Sequence, residues 1–146
     1  MNNLNQIFTN RCIYIPLILW ATIQIFKVLT DLIVNKKLNI KRIIGAGGMP
    51  SSHSAVVCSL AALIGREYGF GSGIFAVSLI MACVVMYDAA GVRRASGKQA
   101  RILNKILETP GMSTVEVQEK LIEALGHTPI QVFVGAAIGI VAGLLL

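Results

Sequence analysis

Apolar residues run from Ile13 to Val34, broken only by a few polar positions that include Gln24, Lys27 and Asp31. A helix that crosses a bilayer needs about 20 mostly apolar residues, and about 17 at the least, so 13–34 qualifies. A second run begins at Pro129 and reaches Leu146. Between them lie two shorter apolar stretches, 51–64 and 74–87, separated by Arg66-Glu67-Tyr68-Gly69-Phe70-Gly71-Ser72-Gly73. This pattern predicts a helical hairpin with arms at about 51–66 and 73–88; a re-entrant hairpin is the alternative. Small residues along the arms (Ser54, Ala55, Ser59, Ala61, Ala62, Ala76, Ala82) suit close helix packing in a membrane, and Gly135, Gly139 and Gly143 mark a packing face on the last helix. Gln24, Lys27 and Asp31 share one face of the first span. Lys27 and Asp31, at i and i+4, fit a mutually neutralising pair as well as they fit a site.

The stretch 89–125 has a different rhythm. Residues 89–108 read as an amphipathic helix, with Arg94, Lys98, Arg101 and Lys105 along one face and Ile102, Leu103, Ile106 and Leu107 on another. Pro110-Gly111 breaks it. Ser113-Thr114-Val115-Glu116 then reads as a capping box, which predicts a second helix to Leu125 with Gly126 as its terminating glycine. Glu108, Glu116, Glu119 and Glu123 read as solvated helix surface.

Composition fixes the setting. Of 146 residues, 55% are apolar and 14% charged, against about 25% charged in soluble domains, and the mean hydropathy is +0.71. The expected architecture is one all-α membrane domain over 1–146. It is a polytopic helical bundle of about four transmembrane helices (13–34, 51–66, 73–88, 129–146) plus amphipathic helices at the cytosolic face (89–125). Net charge is +6, and its distribution says more than its size. Lys36, Lys37, Lys41 and Arg42 fill one connection; Arg93, Arg94, Lys98, Arg101, Lys105 and Lys120 fill another. Four spans put both on one side, and the positive-inside rule makes that side cytoplasmic, with both termini outside. The first apolar segment is too long for a cleavable signal and lacks a basic leader, so a bacterial inner membrane is the default. Cys12, Cys58 and Cys83 lie in apolar segments and suggest no disulfide framework. No Cys/His spacing resembles a zinc site, and neither metal, cofactor nor nucleic acid is expected. Membrane lipids are expected partners, and a homo-oligomer stays open.

Three polar clusters could carry chemistry. Pro50, Ser51 and Ser52 favour a helix start, with Ser51 or Ser52 as N-cap, which places His53 in the first turn beside unpaired N–H groups suited to an oxyanion. Asp88, Arg93, Arg94 and Lys98 cluster where the third span exits, and arginine pairs bind phosphate in bidentate fashion. Arg101 and Lys105 are explained by the positive-inside rule and by anionic headgroups. His127 to Gln131 opens the fourth span. The sidedness argument brings His53, His127 and these cations to one face. Two imidazoles beside cations meet the needs of phosphomonoester cleavage, as nucleophile and general acid.

At these residues the chain resembles a known family. Pro50-Ser51-Ser52-His53 is similar to the Pro-Ser-Gly-His motif of the type-2 phosphatidic acid phosphatase superfamily, which includes lipid phosphatases and vanadium haloperoxidases. Gly47-Gly48-Met49-Pro50-Ser51-Ser52-His53-Ser54, the Tyr87-Asp88-Ala89-Ala90-Gly91-Val92-Arg93-Arg94 run and Gly97-Lys98-Gln99 resemble the divergent PAP2 family of small membrane proteins. The resemblance implies a phosphorylated lipid or isoprenoid as ligand, His53 as general acid and His127 as phosphorylated nucleophile. The superfamily's upstream Lys and Arg motif is absent; polarity and sidedness instead offer Lys27, Arg93, Arg94 and Lys98, with Ser51 and Ser52 at the helix start, as phosphate contacts and Asp88 as a surrogate acid. The superfamily acid that orients the nucleophile falls at Gln131, whose amide can orient an imidazole but cannot stabilise an imidazolium as a carboxylate does. The alternatives are a non-catalytic phospholipid-binding or transport protein and a structural membrane subunit.

Overall fold

A computed structural model describes residues 3–36, 48–108, 121–123 and 125–146. All regular structure among them is helical: α1 (Asn3–Thr9), α2 (Arg11–Asn35), α3 (Ser52–Tyr68), α4 (Gly73–Ala90), α5 (Val92–Glu108) and α6 (Pro129–Leu145). Local chemistry sets the ends. Asn10 caps α2 by accepting the Cys12 N–H, Ser51 caps α3 through Ser54 N–H, and Ser72 caps α4 through Phe75 N–H. Of the two candidate serines, Ser51 is therefore the cap, and Ser52 opens the helix.

The hairpin α3–α4 turns at Gly69, whose positive φ of 86° favours glycine. Phe70 then folds back, packs edge-on against Phe75 at 5.1 Å, and fills the space that the missing side chain of Gly65 leaves. α2 and α4 contain the stretches long and apolar enough to cross a membrane; the apolar α6 is shorter. Large side chains point outward (Ile18, Ile25, Phe26, Ile33, Val77, Ile80, Val84, Phe133), while the interior is built of Ala, Ser, Gly and a few larger residues. A protein surrounded by water would hide its larger apolar groups instead.

That small-residue interior allows α3 and α6 to run side by side, parallel and nearly in backbone contact. A methyl group on Gly135, Gly139 or Gly143 would strike the carbonyl of Ser51, Ala55 or Ser59 respectively. The ladder is locked at both ends. Ser51 N–H donates to the Gln131 carbonyl at 3.1 Å, and Arg66 Nη1 donates to the Leu144 carbonyl at 2.8 Å. α2 lies antiparallel to α3, with Arg11 paired to Glu67 at one end and Lys27 against Ser52 at the other. The starts of α3 and α6 thus share one end of the bundle with the end of α4.

Two expectations are corrected. Residues 121–123 and 125 are not helical, so the helix expected to reach Leu125 does not, and Gly126 does not terminate one. Its φ of 81° serves a turn that lies directly on the backbone of Arg93 and Arg94, where no side chain fits. The predicted helix start at Ser113 lies outside the described residues. Glu123, expected on a solvated helix, instead accepts from Arg101 Nε at 3.2 Å and Asn104 Nδ2 at 2.9 Å. The amphipathic helix itself is present and is separated from α4 at Gly91.

Gly139→Leu forces α3 and α6 apart and lowers the melting temperature in detergent, at a cost of about 1–3 kcal/mol or more, as overpacking does. Gly73→Ala, at a position with open space around it, leaves the melting temperature within error.

Candidate functional site

At the shared end of the bundle, His53, Val85, Asp88, Ala89, Arg93, Gly126 and His127 line one cavity. Four elements contribute, and each is fixed locally. His53 projects from the first turn of α3, held by the Ser51 cap. Asp88 comes from the last turns of α4, and Arg93 from the first turn of α5. His127 sits just ahead of α6, and its backbone N–H donates to the Ala89 carbonyl at 2.9 Å. Two residues distant in sequence are thereby pinned beside each other by backbone bonds alone.

His127 is 4% exposed, and neither ring nitrogen finds a hydrogen-bond partner among the described residues. Burial pulls its pKa from the ordinary 6.5 down to about 4, and the positive charges of Lys27, His53 and Arg93 push the same way. The imidazole is therefore neutral at physiological pH and keeps a lone pair. His53 is exposed on its outer side. Asp88 takes the Arg93 guanidinium as a charge-assisted partner, Nε to Oδ2 at 2.5 Å, and lies within electrostatic reach of His53.

The remaining sequence candidates take different places. Lys27 is buried, donates to Ser52 Oγ at 3.5 Å, and acts electrostatically on both histidines, so α2 also delivers a cation to this end. Ser51 is fully buried and spends its hydroxyl on Ser54. Arg94 presents its backbone to Gly126 and does not line the cavity. Lys98 is exposed a turn further along α5. Gln131 is used in a capping box: its Oε1 accepts the Thr128 N–H at 3.0 Å, and its own N–H donates to Thr128 Oγ1 at 3.4 Å. It does not touch the His127 ring. Asn104, which the sequence did not single out, and Gly97, expected only as part of a family motif, both carry packing weight. Gly97 of α5 lies against the carbonyls of residues 123 and 125, and buried Asn104 holds the Leu121 backbone through both its N–H and its carbonyl. A glycine and an asparagine inside one helix, both poor helix formers, were the available signal.

The cavity holds about 20 Å³, room for roughly one water-sized group. It is lined by two imidazoles, a carboxylate and a guanidinium, a set able to bind an oxyanion and to move a proton.

The buried neutral state of His127 makes stability depend on pH. Between about 6.5 and 4 the unfolded chain takes up a proton at this position that the fold excludes. The contribution is complete above 6.5 and is lost as pH falls towards 4, up to about 3 kcal/mol at 1.36 kcal/mol per unit. His127→Gln flattens the fall in melting temperature between pH 7 and pH 5 relative to the parent protein; equal slopes in the two proteins would contradict this account.

No solved structure matches the chain. A relative from Bacillus subtilis (strain 168), named uncharacterized membrane protein YuiD, is 42% identical over 134 residues, covering 84% of this chain and 85% of that one. Residues 8–142 match the Divergent PAP2 family, a span that contains every residue of the cavity. With its outward-facing apolar helices and this family match over most of its length, the chain is a membrane protein belonging to the divergent PAP2 family.

Proposed function

We propose that this protein binds the phosphate of a phosphorylated lipid or isoprenoid at the end of a four-span bundle and transfers the phosphoryl group to His127. The observation that supports this reading is the convergence of His53, His127, Asp88 and Arg93 on one cavity, with Lys27 beside them. The four spans are α2, α3, α4 and α6, oriented with the cavity at the cytoplasmic leaflet and both termini outside. The cation-rich α5 starts at the shared end, which supports a cytoplasmic location by the positive-inside rule.

A phosphoryl group is larger than one water, so its arrival requires Arg93 to leave Asp88 and turn its guanidinium onto the phosphate oxygens. Lys27, held against Ser52, adds positive charge from behind the cavity lining. The lone pair of neutral His127 attacks phosphorus, the ester P–O bond breaks, and protonated His53 gives its proton to the departing alkoxide. Water then attacks the phosphohistidine with His53 as base, releasing inorganic phosphate and restoring both rings. Asp88, freed from Arg93, steadies the charge on His53. Ser51 caps the helix mouth and Ser52 holds Lys27.

A second reading, a phosphate-binding or transport protein without turnover, is favoured by one observation. Gln131, where the superfamily places its orienting acid, is spent on Thr128, and no described group fixes the His127 ring. A glutamate there would also satisfy the cap.

Purified protein offered a panel of phosphatidate and prenyl phosphates releases inorganic phosphate. His127→Ala abolishes release, and His53→Ala lowers it about 100- to 10,000-fold, the usual range for a general acid. Tight binding without release, lost in Arg93→Ala, supports the second reading. Ligand binding and turnover indifferent to all three substitutions would leave only a structural subunit. Separately, a reporter enzyme fused after Leu146 is active only outside the cytoplasm; activity inside would overturn the proposed orientation.

A further inference from the structure

α5 presents three faces: one buried, one basic and one aliphatic and exposed. Gly97, Ala100 and Asn104 are buried, and Gly97 and Asn104 hold the segment 121–125. A second face carries Arg94, Lys98, Arg101 and Lys105. A third carries Val92, Ile102, Leu103 and Ile106, which are 57%, 59%, 48% and 44% exposed. Large aliphatic side chains so placed need a cover.

The helix cannot find that cover by crossing the membrane. It holds five cations (Arg93, Arg94, Lys98, Arg101, Lys105) against one carboxylate, Glu108. Each Lys or Arg at the centre of a spanning helix costs about 2.5–3.5 kcal/mol. Yet α5 begins one residue after α4, an apolar helix long enough to cross, so it starts at a membrane surface. A helix with one aliphatic stripe, a strongly basic flank and an origin at the bilayer boundary suits one occupant, the interfacial zone of an anionic leaflet. A second copy of the chain would place the same cations against each other.

We infer that α5 lies in the plane of an anionic bilayer surface. Its stripe of Val92, Ile102, Leu103 and Ile106 sinks below the headgroups, and Arg94 and Lys98 meet lipid phosphates. This surface is distinct from the cavity: it reads the charge of the membrane rather than one ligand, and it stands whether or not the cavity turns a substrate over. Arg93 and Arg101 pair with Asp88 and Glu123, and the lipid contact falls to Arg94 and Lys98.

The test uses the full chain in vesicles, in a Trp20→Phe background that removes its single tryptophan. Ile106→Trp and Lys98→Trp, both at exposed positions, probe the stripe and the basic face. In vesicles of phosphatidylglycerol and phosphatidylcholine with acyl chains brominated near the headgroup, the Ile106→Trp protein is quenched several-fold more than the Lys98→Trp protein. Its quenching falls when phosphatidylglycerol is omitted. Equal quenching at the two positions overturns the inference, whether water or another protein covers the stripe. Quenching at 106 that ignores lipid charge overturns the anionic preference. Neither readout involves phosphate release, so failure here and failure of the phosphatase reading are told apart.

Discussion

The close approach of α3 and α6 is the constraint on which the rest depends. Three glycines on α6 face Ser51, Ala55 and Ser59 on α3, and nothing larger fits between the backbones. In a lipid environment, where hydrophobic burial gives little reason for helices to associate, such contact supplies dispersion and shape instead. The contact also fixes register. With Gly135 against the Ser51 carbonyl, the Ser51 N–H meets the Gln131 carbonyl, and the two helix starts arrive level with each other. His53 and His127 each lie within a few residues of that bond. A shift of one helical turn would carry the two imidazoles about 5.4 Å apart along the axis, too far to share one small ligand.

The electrostatics of the cavity follow from the same geometry. His127 is buried, which disfavours its charged form, and the cations that arrive on α2 and α5 push the same way. A neutral imidazole is the outcome, and it is the state in which histidine can act as a nucleophile. An anion entering this cavity would gain from Lys27 and Arg93 and would relieve the mutual repulsion of the cationic groups.

Much of this could be read from the chain. Apolar runs located α2, α3, α4 and α6, of which α2 and α4 contain stretches long enough to cross a membrane; Ser51 and the glycine ladder were visible because capping and close packing admit few residue types. His53 and His127 line one cavity, as they would if the starts of α3 and α6 lay at one face of a slab. What resisted reading was the direction of particular side chains. Gln131 has the spacing to orient His127 and also sits three residues after Thr128, where a capping box forms; local geometry chose the cap. Lys27 was divided between Asp31 and the site, and only the packing of α2 on α3 places it by Ser52. The segment after 120 carries helical signals, but Asn104 offers its backbone hydrogen bonds that a helix would otherwise supply. Long-range competition of that kind leaves no trace in a local pattern.

α5 joins these levels. Its buried face carries the segment that ends in His127, through Asn104, Gly97 and the turn at Gly126, and its first turn carries Arg93 into the cavity. Two of the four polar groups lining the site are thus referred to one amphipathic helix rather than to the spanning bundle. A helix of this composition has little reason to stay ordered in water, because its aliphatic stripe is exposed, and most helical stability comes from burying such a face. If the bilayer surface supplies that burial, the position of His127 becomes tied to the lipid boundary itself. The cavity would then be complete only where a phosphorylated lipid would present its headgroup.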